Sequence, residues 1–130
     1  MKRSLAREKA LQAIFQFGKS EITPDEAIQY VLEDNEQHDP FLHSLVTGTY
    51  NNLQEIDEII GNHLENWSFD RLGNVDRTIL RIAVYEMKYL EDIPVKVSMD
   101  EAIELAKKFG DEKSSKFVNA VLSKVQQTVS

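Results

Sequence analysis

The 130-residue chain has no cysteine. That excludes a disulfide scaffold, a thiolate metal site and a cysteine nucleophile, and it suits a reducing, cytoplasmic setting. Glycine (5) and proline (3) are scarce, and aromatics make up only 8% of the residues. Such a balance disfavours a turn-punctuated β-sandwich and favours helices. No apolar run approaches the ~20 residues that span a bilayer, so no membrane is expected. Behind the basic start, Glu8, Lys9, Gln12 and Gln16 interrupt any signal-peptide core. Phosphate-cradling glycine loops, nucleophile elbows and H-E-x-x-H spacings are also missing. His38, His43 and His63 share no ligand spacing and read as surface histidines. No catalytic residue, metal or cofactor is expected, and hence no enzyme.

What the chain does have is enough apolar material for a core, at 42%, and an uneven charge. The net charge of −7 hides a first segment, residues 1–20, of net +4, with Lys2, Arg3, Arg7, Lys9 and Lys19 against Glu8. Residues 21–66 hold 11 acidic side chains and no Lys or Arg, and residues 67–130 balance 10 against 10. Charged fields are local beyond a Debye length of ~8 Å, so a basic patch acts even on an acidic protein.

The apolar pattern is helical throughout. A first helix runs from about Ser4 to Phe17, with Ala6, Ala10, Ala13, Ile14 and Phe17 on one face, and Gly18 ends it. Thr23-Pro24-Asp25-Glu26 is a capping box with proline at the first helical position. A third helix starts at Asp39-Pro40 and reads either as one element to about Leu64, which is preferred, or as two joined near Gly48 to Asn52. Trp67 to Gly73 is a connector. A nearly all-apolar helix follows from about Leu72 to Leu90, ended by Pro94. Ser98-Met99-Asp100-Glu101 reads as a second capping box, opening a helix that Gly110 ends. Asp111 starts the last helix. No strand period, internal repeat or low-complexity tract appears.

Several residues sit oddly on these faces. Arg3 and Arg7 continue the apolar stripe of the first helix, where an unpaired guanidinium is costly to bury. That end is expected to project past the core, with Lys2 and Lys9 flanking. Four such cations suit a phosphate backbone. A solvated helix start is the plainer reading. Arg7→Ala is expected to weaken binding of such a backbone with little loss of stability. Leu11 and Phe15 form an i, i+4 apolar pair off the main stripe, covered by a neighbour or left as a partner site. Asp76 and Glu86 fall inside an apolar arc; either is a catalytic carboxylate or, by preference, a structural one satisfied by helix N–H groups or an arginine. Phe117, beside Lys116, is a core residue or a stacking platform for an unpaired base.

Four segments then read together: Ala6-Arg7-Glu8-Lys9-Ala10-Leu11-Gln12-Ala13; Val75-Asp76-Arg77-Thr78-Ile79-Leu80-Arg81-Ile82-Ala83-Val84-Tyr85-Glu86; Ile93-Pro94 with Glu101-Ala102-Ile103-Glu104-Leu105-Ala106-Lys107-Lys108-Phe109-Gly110; and Lys116-Phe117-Val118-Asn119-Ala120-Val121-Leu122. In order and spacing the chain resembles the NusB family of bacterial transcription antitermination factors. The resemblance implies an all-α fold of six to seven helices, as two small bundles (about 1–66 and 67–130) packed into one unit. It implies binding of boxA-type single-stranded RNA with the ribosomal protein NusE, within an antitermination complex on RNA polymerase that supports ribosomal RNA transcription. It maps RNA contacts onto Lys2, Arg3, Arg7, Ser114, Lys116 and Phe117, to which charge adds Lys9. It maps the protein-partner surface onto Phe15, Asp70 and Asp76, beside Leu11. Some members form homodimers. Ala120 stands where the family has glycine, and Lys113 where it is often acidic. Two other readings stay open: a helical interaction module that never touches RNA, and a stand-alone relative of the RNA-binding domain that leads some RNA cytosine methyltransferases.

Overall fold

A computed structural model of the chain describes residues 1–18 and 21–129. Within them the protein is all-α, with helices α1 (Arg3–Ile14), α2 (Pro24–Val31), α3 (Pro40–Asn51), α4 (Leu53–Asn62), α5 (Asn74–Tyr89), α6 (Val95–Phe109) and α7 (Glu112–Val129). One turn of 310 helix, Phe69–Arg71, precedes α5. None of the described helices is long and apolar enough to cross a membrane. Lys19, one of the cations counted above, lies outside the described residues.

Local chemistry sets most of the ends. The Glu26 amide donates to the Thr23 hydroxyl oxygen at 3.1 Å, and the Thr23 amide donates to the Glu26 carboxylate at 3.1 Å, closing the expected capping box of α2. Asp39 accepts from the Leu42 amide at 2.9 Å and Asp111 from the Ser114 amide at 2.7 Å, which caps α3 and α7. The regular part of α1 stops at Ile14, three residues before the expected end. Gln16 and Phe17 tighten into bonds to the carbonyls three residues back, and Gly18 then turns the chain at φ 87°.

Two boundaries differ from the sequence reading. The stretch from Asp39 to Leu64, preferred as one helix, is instead the alternative, two helices joined at Asn52. Asn52 leaves helical geometry at φ −118°, ψ 20°, and its side-chain amide donates to the Gly48 carbonyl at 2.8 Å. That bond satisfies an end carbonyl of α3 and makes the break stable. The apolar stripe runs on across it, so periodicity does not show it. Gly48 serves a second purpose: a Cβ there would sit 2.2 Å from the Tyr85 ring, so only glycine lets α3 approach α5 this closely.

The second difference is α6. It begins at Val95 behind Pro94, not at a Ser98 capping box. Ser98 lies inside the helix, is 1% exposed and gives its hydroxyl proton to Glu86 at 2.9 Å. A buried carboxylate in a neighbouring helix outbids the local cap.

α5 is central. It touches α1, α3 and α4 from the first half of the chain and α6 and α7 from the second. Its buried positions run through Thr78–Leu80 and Ile82–Met87. Buried residues from all seven helices join one apolar cluster. The start of α5 thus lies where α1, the end of α6 and the start of α7 converge, and this positions the surface described next.

Candidate nucleic-acid and partner interface

α1 buries Ala6, Ala10, Ala13 and Ile14, and Arg7 is on the same face. Arg7 does not project past the core. It is 2% exposed and forks onto Glu86 of α5, with Nε to Oε2 at 2.9 Å and Nη2 to Oε1 at 2.7 Å. Its Nη1 lies 3.4 Å from Glu101 of α6, which also accepts from the Ser4 hydroxyl at 2.9 Å. Burial works against the guanidinium charge, but the Glu86 and Glu101 carboxylates outweigh it and raise its pKa. The expectation that Arg7 reaches a ligand is overturned, because Glu86, itself 1% exposed, requires a cation. The structural reading of Glu86 holds, and Arg7 is its partner.

Lys9 is also withdrawn. It is 7% exposed, donates to the Val31 carbonyl at 3.1 Å and pairs with Glu36 at 2.8 Å. It ties α1 to the end of α2. Lys2 and Arg3 remain exposed. The Arg3 guanidinium stacks 4.6 Å from the Phe41 ring centroid, which holds it in place while leaving its donors to solvent.

Farther along α1, Leu11, Gln12 and Phe15 meet Val75 of α5 and Phe109 of α6 in a shallow groove of about 290 Å³. Leu11 is its floor, at 4% exposed, and Phe15 is half-buried. The neighbour of Val75 is Asp76, which opens onto a second cleft of about 370 Å³. Trp67, Arg71, Lys113, Ser114 and Phe117 contribute to its walls. Burial pushes the Asp76 carboxyl upward; Ser114 opposes this and the Asp111 charge reinforces it. One Asp76 oxygen is buried without a hydrogen bond. Asp70 is exposed on the 310 turn, which Arg77 clamps through the Phe69, Asp70 and Leu72 carbonyls at 2.9–3.3 Å.

The structure therefore brings Asp76, Ser114 and Phe117 to one cleft and Leu11 and Phe15 to the groove beside it. It sets Lys2 and Arg3 at the far end of α1, with Arg3 roughly 12 Å of helix rise from Leu11. Among the described residues, eight Lys or Arg side chains carry an ion pair with an acidic side chain. Arg77 is spent on carbonyls, which leaves Lys2, Arg3, Arg71, Lys113 and Lys116 without one. Three of these five lie along or beside the cleft. Trp67 and Arg71, which line the cleft, lie in the segment that the sequence reads as a connector. An exposed tryptophan in a polar stretch was the available signal.

Comparisons with known proteins identify the family. The NusB family matches residues 4–127. The transcription antitermination protein NusB of Bacillus subtilis is 57% identical over 129 residues, covering 99% of this chain and 98% of that protein. That of Geobacillus kaustophilus is 58% identical over 126 residues, with 97% and 96% covered. A NusB structure from T. maritima superposes with a TM-score of 0.88 at 36% identity, covering 98% of this chain and 92% of that one. A structure of antitermination factors NusB and NusE in complex with double-stranded RNA gives 0.87 at 33% identity, with 97% and 96% covered.

Proposed function

The chain belongs to the NusB family, and from that membership we propose a transcription antitermination factor that holds boxA-type single-stranded RNA together with the ribosomal protein NusE. It does so within the antitermination complex on RNA polymerase, in the cytoplasm, in support of ribosomal RNA transcription. The role is that of an adaptor and includes no catalytic step. One observation carries the reading: an apolar groove and an aromatic cleft with unpaired cations adjoin at Val75–Asp76. One surface suits a protein and the other a nucleic acid.

On this reading Lys2, Arg3 and Lys116 meet phosphates, and Ser114 and Phe117 meet the bases. Phosphate contacts supply affinity and position, while base contacts supply selectivity. Phe15, Asp70 and Asp76 meet NusE over the floor made by Leu11. Arg7 and Lys9 act indirectly by fixing α1. The partner extends the RNA-binding surface, so the joint complex binds more tightly than either protein alone.

A gel shift with a boxA-type RNA tests this. We expect a weak shift alone and a stronger one with NusE. The withdrawal of Arg7 and Lys9 from the surface favours one rival, a helical bundle that binds only protein. Binding of NusE with no RNA shift under any condition would establish that rival.

A further inference from the structure

We propose that Trp67 and Phe117 form a two-sided base-stacking cleft, with Arg71 and Lys113 as its phosphate contacts, through which the RNA strand continues past the residues assigned above. The inference rests on the RNA-binding role and adds to it a site made largely by the segment before α5.

Trp67 is 57% exposed although it is the single tryptophan of the chain. It stands directly after Asn66, whose φ of 66° is a left-handed conformation that asparagine tolerates better than most residues. Trp67 and Phe117 are the two residues shared by adjoining clefts of about 370 and 170 Å³. The aromatic pair therefore borders a channel with room on both sides of it. Phe117 is held by the core it packs against, whereas Trp67 follows a bend at Glu65 and Asn66.

Charge decides what kind of strand fits. Arg71 and Lys113 line the larger cleft together with Asp76 and Asp111; neither cation is in an ion pair among the described residues, although the Lys113 charge is felt by Asp111. Lys116, next to Phe117, is likewise unpaired. Unpaired cations beside solvent-facing rings match the needs of single-stranded nucleic acid, a backbone to neutralise and bases to stack. An acidic peptide would use the cations but not the two rings. The groove at Leu11 and Phe15, by contrast, is almost wholly apolar in character and belongs to a protein partner.

The sole tryptophan is its own reporter. Titrating the full chain, with NusE present, with a short boxA-type RNA should quench Trp67 fluorescence. Trp67→Ala should weaken binding by roughly 5- to 150-fold, the range for losing one base stack, and Trp67→Phe should restore most of it. The melting temperature should hardly move, because the indole is largely in solvent. Arg71→Ala should lower the log–log salt slope by about 0.7. If the wild type binds RNA but neither quenching nor loss by Trp67→Ala occurs, the cleft is overturned and the RNA-binding role stands. If Trp67→Ala weakens NusE binding and leaves RNA binding unchanged, the cleft belongs to the protein partner and the proposal fails. If the wild type shows no RNA binding at all, the role itself falls, and the cleft with it.

Discussion

The first turns of α1 and the face running from Trp67 to Lys116 both carry several cations, and they use them in opposite ways. On α1, Arg7 and Lys9 are buried against Glu86 and Glu36 and hold helices together. On the other face, Arg71, Lys113 and Lys116 form no ion pair with an acidic side chain among the described residues, and Lys113 acts on Asp111 only as a nearby charge. The first segment has the higher net positive charge, yet it offers only Lys2 and Arg3 to solvent among its described residues. The second segment is neutral overall and offers three. Net charge per segment records how many cations are present. Binding depends on how many are left after the fold has taken its share.

The contrast breaks most visibly at Arg7. Arg7→Ala leaves Glu86 buried without its cation, a loss of about 3–5 kcal/mol. For a domain of this size the melting temperature should fall by on the order of 10 °C or more. This reverses the expectation from sequence, which placed the effect on RNA binding. Replacing both partners, Arg7→Met with Glu86→Met, should recover much of the stability, since a well-packed apolar pair removes the desolvation penalty. Thermal melts of the three variants decide the matter. An unchanged melt for Arg7→Ala with weakened RNA binding would return Arg7 to the surface role.

A smaller effect is expected on the other side. Lys116→Ala should change stability by less than about 0.5 kcal/mol, as exposed substitutions do. Its cost should appear in RNA binding alone, as a salt slope flatter by about 0.7. With Arg7 and Lys9 withdrawn, Lys2, Arg3 and Lys116 by themselves give a slope near −2. A measured slope steeper than −3 would mean that further cations join, as Arg71 and Lys113 would. A slope that Lys116→Ala leaves unaltered would remove Lys116 from the interface.

Much of this was legible in the residues, and the illegible parts share one cause. The Thr23 capping box, the Asp39 and Asp111 caps and the central, enclosed α5 all depend on neighbours within a few positions, so pattern reveals them. Glu86 could be flagged as a structural carboxylate because it interrupts an apolar arc. Its partner could not be named, since Arg7 is 79 residues away in sequence. Ser98 departs from its local pattern for the same reason: a hydroxyl ahead of a Glu three positions on fits a local cap, and only the approach of α5 diverts it. The break at Asn52 depends on a side-chain bond that leaves no trace in the apolar period. Of the interface, Phe15 and Asp76 stood out as misfits on their helices. Trp67 did not, because a connector has no face to violate.

The least of the expected effects concerns Asp76, where the two surfaces meet. Burial holds its carboxyl pKa above the ordinary aspartate value. Between the unfolded value, ~3.9, and the raised folded value, the native state binds more protons than the unfolded chain. Stability therefore falls as pH rises through that window, and the ionised form remains a modest liability at neutral pH. Asp76→Asn removes the charge while keeping the shape. It should melt slightly higher than the wild type at pH 7, and the difference should close as pH drops below 4. NusE binding should weaken at the same time if the carboxylate meets the partner, a local trade of stability for function. An Asp76→Asn protein that melts lower at pH 7 would show that the native state stabilises the charge, and Asp76 would then belong with the locked residues of α1 instead of at the open seam.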